Sequence, residues 1–313
     1  MSVEPGFIDD GDGSVPEGSE PPGGVDDGPM GEPKSARQLF LKRFRRQGPA
    51  IVALVFLLFV VFVAVFAPVI APHDPVTTNA ADRLQGPSAQ YWLGTDDLGR
   101  DLLSRNIYAA RVSLTAAAIA VGIALSLSLP LGLISGYMGG RIDSLIQRVN
   151  DGFMSFPGLI LAIAIIGILG PGLTNAMIAI GISYTPNFIR IIRAATLGVR
   201  RETYIEAAYQ IGSPTPKTVI GHVFPNILSP VIVQTTLALG LAILSESGLS
   251  FLGLGAQPPT ASWGGMLRRS FSFMFDAPIN VFPPGIAILL VVLAFNVLGD
   301  GIRDAVGREA RRD

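Results

Sequence analysis

The sequence predicts an all-α integral membrane protein with six spanning helices and both termini on the inner side, and three observations carry that prediction. Of the 313 residues, 49% are hydrophobic and only 15% are charged, where a soluble domain carries about 25% charge. Apolar runs long enough to cross a bilayer recur along the chain, bounded by glycine and proline. Basic residues are distributed unevenly between the segments that join those runs.

Composition excludes several functions first. The 24 acidic and 23 basic residues leave a net charge of -1, so no basic field points to nucleic acid. Without cysteine, disulfides, thiolate metal sites and Cys nucleophiles are excluded. The two histidines, His73 and His222, lie far apart in sequence and by themselves make no metal site.

Residues 1–33 hold nine acids, eight glycines, six prolines and no Lys or Arg. Such a stretch buries too little apolar surface to offset the entropy of ordering, which predicts a disordered acidic tail on the inner side. Without a basic start and an early apolar core it is not expected to be a signal peptide. Six basic residues follow between Lys34 and Arg46, then an apolar run from Ala50 to Ala71. Those 22 residues would span about 33 Å as a helix, enough for a hydrocarbon core of about 30 Å. This first span and an outer segment make up residues 34–111.

Five further spans are placed by apolar length, and they fill residues 112–300: Val112 to Gly136, Phe153 to Leu169, Leu173 to Ile192, Ile227 to Ser247 and Val281 to Leu298. The third and sixth spans begin near Pro157 and Pro283–Pro284, where the missing N–H costs little. With both termini inside, the inner segments carry 17 basic residues and the outer ones 6, the asymmetry expected of a membrane protein. Residues 301–313 form the inner C-terminus.

Between the fourth and fifth spans lies an inner segment, residues 193–226, built as two short helices around a sharp turn. Gly212 suits a left-handed helix end and Pro214 blocks continuation. Thr215 and Pro216 read as N-cap and first residue of the second piece, which should stop near Phe224 before Pro225. Ala207 and Ala208 leave a small-residue face for close approach. The pattern Glu206-Ala207-Ala208, three residues, Gly212, then Pro225 resembles the EAA loop of binding-protein-dependent ABC import permeases. His222 and Phe224 depart from the generic pattern, although a His before Pro-Asn is similar to the peptide-importer branch.

Other stretches resemble the C-type permease subunit of bacterial dipeptide and oligopeptide importers: Leu93 to Asp101 with Ser104-Arg105, Arg111 to Leu114, and Gly248 to Gly255 continuing through Pro258-Pro259 to Trp263-Gly264. Ala110 departs from that family, which often has Gly there. The resemblance covers roughly residues 38 to 300 and implies the type I ABC importer permease fold. It also implies residence in the bacterial plasma membrane, a second (B-type) permease, two ATP-binding subunits, an extracytoplasmic peptide-binding protein, and a coupling role for Tyr204, Glu206, Ala207, Ala208, Gly212 and Pro214. Glu206 would position the coupling helix by hydrogen bonding or ion pairing.

The resemblance implies an alternating-access importer for dipeptides or oligopeptides, with related systems carrying nickel or other small solutes. The chain lacks a G-x-x-x-x-G-K-[ST] phosphate cradle, so it is expected to bind no cofactor, to be no enzyme, and to leave ATP and Mg to partner subunits. An ion-coupled transporter would show ionisable groups buried at mid-membrane and internal repeats, and neither stands out. A structural scaffold would have no need of the Glu206 to Asn226 loop.

Several polar residues allow two readings each. Glu246, flanked by Ser245 and Ser247, either serves the pathway or caps and pairs, with Arg268 as the partner. Gln234, Thr235, Thr236, Tyr184, Asn187 and Asn296 either line a polar conduit or bond helix to helix. Asp96, Asp97 and Arg100 either contact the binding protein or form a plug at the outer mouth. Pro186 is expected to kink or end the fourth span, and His222 to pack. Gly132, Gly136 and Gly140 at four-residue spacing are expected to allow close helix approach.

Overall fold

The computed structural model describes residues 36–307. The acidic tail expected at residues 1–33 and the last C-terminal residues lie outside the described part. Residues 40–313 form one contact unit, and of the other, residues 1–39, only the beginning of helix α1 (Ala36–Phe44) is described. Among the described residues the chain is helical, with one isolated bridge between Thr95 and Asp101.

Helix α2 (Gly48–Val65) buries Ala50, Ala53, Leu57, Val60 and Ala64, a three-four spacing that keeps one narrow stripe inward. The apolar run expected to continue unbroken to Ala71 breaks at Phe66, and a separate turn, α3 (Ala67–Ile70), follows with Pro68 in its first two positions. Proline has no N–H to give the carbonyl four residues back, so the first helix stops there.

Helix α4 (Leu102–Met138) starts ten residues earlier than the sequence suggests, because Asp101 caps it: its carboxylate accepts from the N–H of Leu103 and Ser104. At 37 residues it is about 55 Å long and outreaches a bilayer core. Gly139 and Gly140, at φ +67° and +59°, then turn the chain into α5 (Gly140–Met154). A break at residues 155–157 separates α5 from α6 (Gly158–Leu169), and the two helices meet at 87°. The third span expected from Phe153 therefore begins at Gly158, with Pro157 as its N-cap as the sequence suggests.

Helix α7 (Leu173–Arg200) continues past Pro186, so of the two outcomes expected there, a kink or an end, the end is absent. It lies parallel to α4, and three glycines set the distance between them. A Cβ on Gly132 would meet Ile192 at 2.7 Å, one on Gly136 the Arg193 carbonyl at 2.8 Å, and one on Gly181 the Ala120 carbonyl at 2.9 Å. Gly140, expected to join this row, has nothing near it, because it lies past the end of α4 and serves the turn instead.

Helix α8 (Thr203–Gln210) follows, then α9 (Thr215–Thr218) and α10 (Phe224–Phe251). The stop expected before Pro225 is absent. A widened turn over Val219–Val223 lets the Phe224 N–H bond five residues back to Val219 O, so Pro225 falls in the first turn of α10, where its missing donor costs little. Helix α11 (Trp263–Ser272) and α12 (Phe282–Gly307) complete the chain.

Contacts fix the directions. Gly299 of α12 approaches Leu237 of α10, and Gly301 approaches Ala50 of α2, so α12 is antiparallel to both. Helices α4, α7 and α12 run one way; α2, α6 and α10 run back. Helices thus occupy all six expected positions. Among the described residues four of them, Gly48–Val65, Leu102–Met138, Thr215–Phe251 and Pro278–Val306, are long and apolar enough to cross a membrane, and the bent α5–α6 pair would make a fifth. Helix α7 has the length, but Tyr184, Thr185, Asn187 and Arg190 lower its apolarity.

Candidate functional site

One end of the bundle carries Glu206, where α7 hands over to α8 and α9 to α10. Helix α8 closes in a paired turn. The Ser213 N–H bonds Ala208 O at 3.0 Å and the Gly212 N–H bonds Tyr209 O at 3.0 Å, with Gly212 at φ +76° and open space around it. This is the six-to-one and five-to-two pair that ends a helix on a left-handed residue. Pro214, not Thr215, caps the next helix; Thr215 is already helical because proline supplies the extended backbone that precedes a first turn. The Thr218 hydroxyl donates to Ser213 Oγ at 3.1 Å and closes the corner.

The surface so displayed sets apolar side chains among polar ones such as Glu202, Glu206, Gln210 and Lys217. Tyr204 is 44% exposed, Tyr209 75%, Ile211 84% and Ile220 69%, while Ile205 is buried and anchors α8. Ala207 and Pro214 are exposed and Ala208 is half-buried. Partial burial, with the Glu202 carboxylate adding to it, raises the Tyr204 phenol above its ordinary value. Glu206 is exposed and makes no side-chain hydrogen bond or ion pair among the described residues, so it does not fix α8 within this chain. It borders a cleft of about 510 Å³ with Tyr137, Arg200, Ile205 and Tyr209, where the Arg200 guanidinium sits 5.8 Å from the Tyr137 ring centre. His222, expected to pack, is exposed; only its carbonyl is engaged, by Asn226 Nδ2 at 2.7 Å.

Immediately behind this segment lies a clamp that the sequence alone does not reveal. Arg193 on α7 grips Asp143 on α5 with Nε to Oδ1 and Nη2 to Oδ2, both at 2.6 Å. Ser135 of α4 also donates to Asp143, and Gln147 Nε2 donates to Ser135 Oγ at 3.0 Å. A two-pronged arginine–carboxylate pair holds angle as well as distance, so α4, α5 and α7 are tied together ten residues ahead of the start of α8.

The candidate pathway residues do not form one constellation. Glu246 is fully buried, and it does not pair with Arg268. Ser113 Oγ of α4 donates to its Oε2 at 3.1 Å and Ser250 Oγ to its Oε1 at 2.7 Å. Its close neighbourhood admits nothing larger: a Cβ on Gly264, at the start of α11, would overlap the Ser247 backbone. Tyr184 shares a hydrogen bond with Ser245 at 2.9 Å. Thr235 and Thr236 donate to carbonyls of their own helix, Val231 O at 2.7 Å and Ile232 O at 2.9 Å. Gln234 and Asn296 are half-buried and Asn187 is exposed; among the described residues these side chains make no hydrogen bond to one another.

At the opposite end, Asp96 and Arg100 are only 7% and 3% exposed, and they face inward. Arg100 Nη2 lies 2.6 Å from Asp96 Oδ2, and Arg105 Nε lies 3.4 Å from the same oxygen. Asp97 Oδ1 pairs with Arg269 Nε of α11 at 3.0 Å. Asn280 Nδ2 donates to Thr95 O at 2.9 Å and ties the segment to the start of α12. Around this core Gly94 and Gly99 take φ +79° and +72°, and a Cβ on Gly99 would overlap the Asn79 carbonyl. Tyr91 Oη donates to Asp82 Oδ2 at 2.9 Å, which raises the phenol above its ordinary value. Asp96, Asp97 and Arg100 are thus each engaged in ion pairs within the chain.

Sequence reasoning missed α11 as a helix. Its signal was present: Ser262, whose hydroxyl accepts from the Gly265 N–H at 3.2 Å, followed by Trp263, Met266 and Ser270 at helical spacing, all buried. The serines around Glu246 carried no such signal, since 133 positions separate Ser113 from its partner.

Comparison with known proteins agrees with this architecture. Residues 128–312 match the family described as binding-protein-dependent transport system inner membrane component, and residues 35–87 match the N-terminal TM domain of oligopeptide transport permease C. The chain is 47% identical over 265 residues to the dipeptide transport system permease protein DppC of Alkalihalophilus pseudofirmus, covering 85% of this chain and 87% of that one. It is 43% identical over 268 residues to the glutathione transport system permease protein GsiD of Escherichia coli O157:H7, covering 85% and 88%. Among solved structures it resembles a chain of the MetNI methionine ABC transporter in inward-facing conformations, with TM-score 0.54 and 19% identity over 66% of this chain and 96% of that chain.

Proposed function

The chain belongs to the family of binding-protein-dependent transport system inner membrane components, and from that premise we propose that it is the C-type permease of an ATP-driven importer of dipeptides or oligopeptides. Alternating helix directions through α2, α4, α6, α7, α10 and α12 support six passes, and the distribution of basic residues supports both termini inside. The Glu206 end then faces the cytosol. The observation that carries the reading is the display of α8: a short helix with exposed apolar side chains, held between two spanning helices by a turn that only Gly212 satisfies without strain.

Two ATPase subunits closing on ATP and Mg would each push a permease at such a segment, and this chain would bind neither. Glu206, exposed and without a side-chain partner among the described residues, would pair with the ATPase; Tyr204, Ala207, Ala208 and Pro214 would supply the fit. The Arg193–Asp143 clamp would pass the push from α7 to α5 and α4. A second permease would complete the pathway, to which Gln234, Asn187 and Asn296 offer polar side chains. A binding protein would dock at the Asp96 end.

Two experiments test this. Gentle extraction of the tagged chain from its native membrane should recover a second permease and ATPase subunits whose ATP hydrolysis is stimulated by binding protein and peptide; reproducible recovery as a lone homo-oligomer would refute it. Gly212→Val should leave the complex assembled and abolish ATP-dependent peptide uptake, because the left-handed conformation costs a β-branched residue about 1–2 kcal/mol. Uptake retained at the wild-type rate would refute the coupling role.

A further inference from the structure

At the Asp96 end, a cavity of about 460 Å³ opens between the last turn of α10, the loop 256–260, α11 and the ion-paired plug. Its size is that of a small-ligand site, and its lining is charged in one sense. Three arginines face it, Arg105, Arg268 and Arg269, against one acid, Asp97. Two of the cations are already engaged: Arg269 holds Asp97 at 3.0 Å, and Arg105 lies 3.4 Å from Asp96 and gives Nη1 to Pro75 O at 2.7 Å. Arg268 has no carboxylate at ion-pair distance among the described residues. Of the acids nearby, Asp96 is held by Arg100 and Arg105, and Glu246 is fully buried, with Ser250, itself part of the lining, donating to it at 2.7 Å.

The backbone is shaped to hold Arg268 where it is. Its guanidinium lies against Gly253, at φ +83°, where a Cβ would overlap it. Gln257 donates Nε2 to Gly253 O and Gly255 O, both at 3.0 Å, and so fixes the strand of loop beneath the guanidinium. The result is a planar fork of donors, uncompensated, at the mouth of a pocket that opens on the outer side under the function proposed above.

We propose that this cavity receives the transported peptide and that Arg268 binds its C-terminal carboxylate. The guanidinium fork matches a carboxylate two-pronged, which a lysine ammonium does not. Every free peptide carries that carboxylate whatever its side chains, so one cation gives a handle independent of peptide sequence. The inference rests on the peptide-importer reading.

The test uses the assembled complex of both permeases and ATPase subunits in nanodiscs, without binding protein, and the probes are dialanine and its C-terminal amide. Saturation-transfer NMR should show wild type binding dialanine better than the amide. Arg268→Gln should weaken dialanine about tenfold, as loss of a charged hydrogen-bond partner does, leave the amide unchanged, and co-purify with its partners at the wild-type yield. Arg268→Lys should recover only part of the loss. Equal affinity of wild type and Arg268→Gln for dialanine, or no dialanine binding to wild type, overturns the site. So does a defect confined to docking of the binding protein, which would assign the cation to an acidic side chain of that partner. Uptake by wild-type proteoliposomes with binding protein and ATP, measured in parallel, separates the two readings: peptide uptake without this binding pattern refutes the site alone, and no peptide uptake refutes the importer reading.

Discussion

The two ends of the bundle are built on opposite plans. At the Asp96 end Asp96, Arg100 and Arg105 are buried and paired with one another, glycines bring backbone against backbone, and Asn280 and Arg269 tie the segment to α12 and α11. At the Glu206 end the connecting helices hold by backbone geometry, the Thr218–Ser213 bond and the buried Ile205 and Val223, while Tyr209, Ile211 and Ile220 stay in the open. A region that must hold its own helices together satisfies its polar groups internally. Under the function proposed above, the end that meets a partner leaves apolar side chains exposed and fixes the turn that presents them.

The comparison can be broken most sharply at Asp96. Asp96→Ala would leave Arg100 and Arg105 buried without their shared partner, and loss of one member of a buried ion pair costs about 3–5 kcal/mol. Thermal unfolding of the purified complex should move down accordingly, whereas the matching loss at Glu206, Glu206→Ala, should leave the unfolding temperature in place. An unchanged midpoint for Asp96→Ala would remove the plug from the account. Next in size is Gly136→Val between the ends: a side chain there meets the Arg193 carbonyl and Thr196, and overpacking of this kind costs about 1–3 kcal/mol. It should lower the stability of the α4–α7 pair, read as earlier heat-induced aggregation in detergent.

A smaller effect sharpens the account of the Glu206 end. In a double-mutant cycle on Arg193→Gln and Asp143→Asn the two substitutions should be non-additive by about 1 kcal/mol, within the range for directly bonded pairs. The double variant should couple ATP hydrolysis to uptake no worse than either single one. Strict additivity would show that the clamp carries no shared energy. Smallest of all, Arg190→Gln should shift stability by less than about 0.5 kcal/mol, since Arg190 and Asp151 are 51% and 59% exposed although only 2.7 Å apart.

Much of the fold was legible because its signals are local. Pro157 and Pro283–Pro284 mark helix starts as expected, and Gly212 takes the left-handed conformation that its neighbours Ala208 and Pro214 call for. Where reading failed, proline was over-trusted: Pro186 and Pro225 lie in helices that continue past them, while Pro68 breaks one expected to be whole. A widened turn before α10 absorbs the missing donor of Pro225, and no local pattern announces it. The site was legible at the Glu206 end, whose motif is contiguous, and far less so at Glu246 and Asp96, whose partners come from distant elements.

By itself, then, the chain determined its apolar helices, most of their boundaries and the left-handed turn that ends α8, because apolar length and Gly–Pro placement act between neighbours. Tertiary structure alone decided which polar groups are buried and with whom: Glu246 with Ser113 across 133 positions, Arg193 with Asp143 across 50, and Asn280 with Thr95 across 185. It also left Arg268 without an acid. Those pairings depend on which helix faces close on one another, and a charge or hydroxyl carries no mark in sequence of the distant face it will meet.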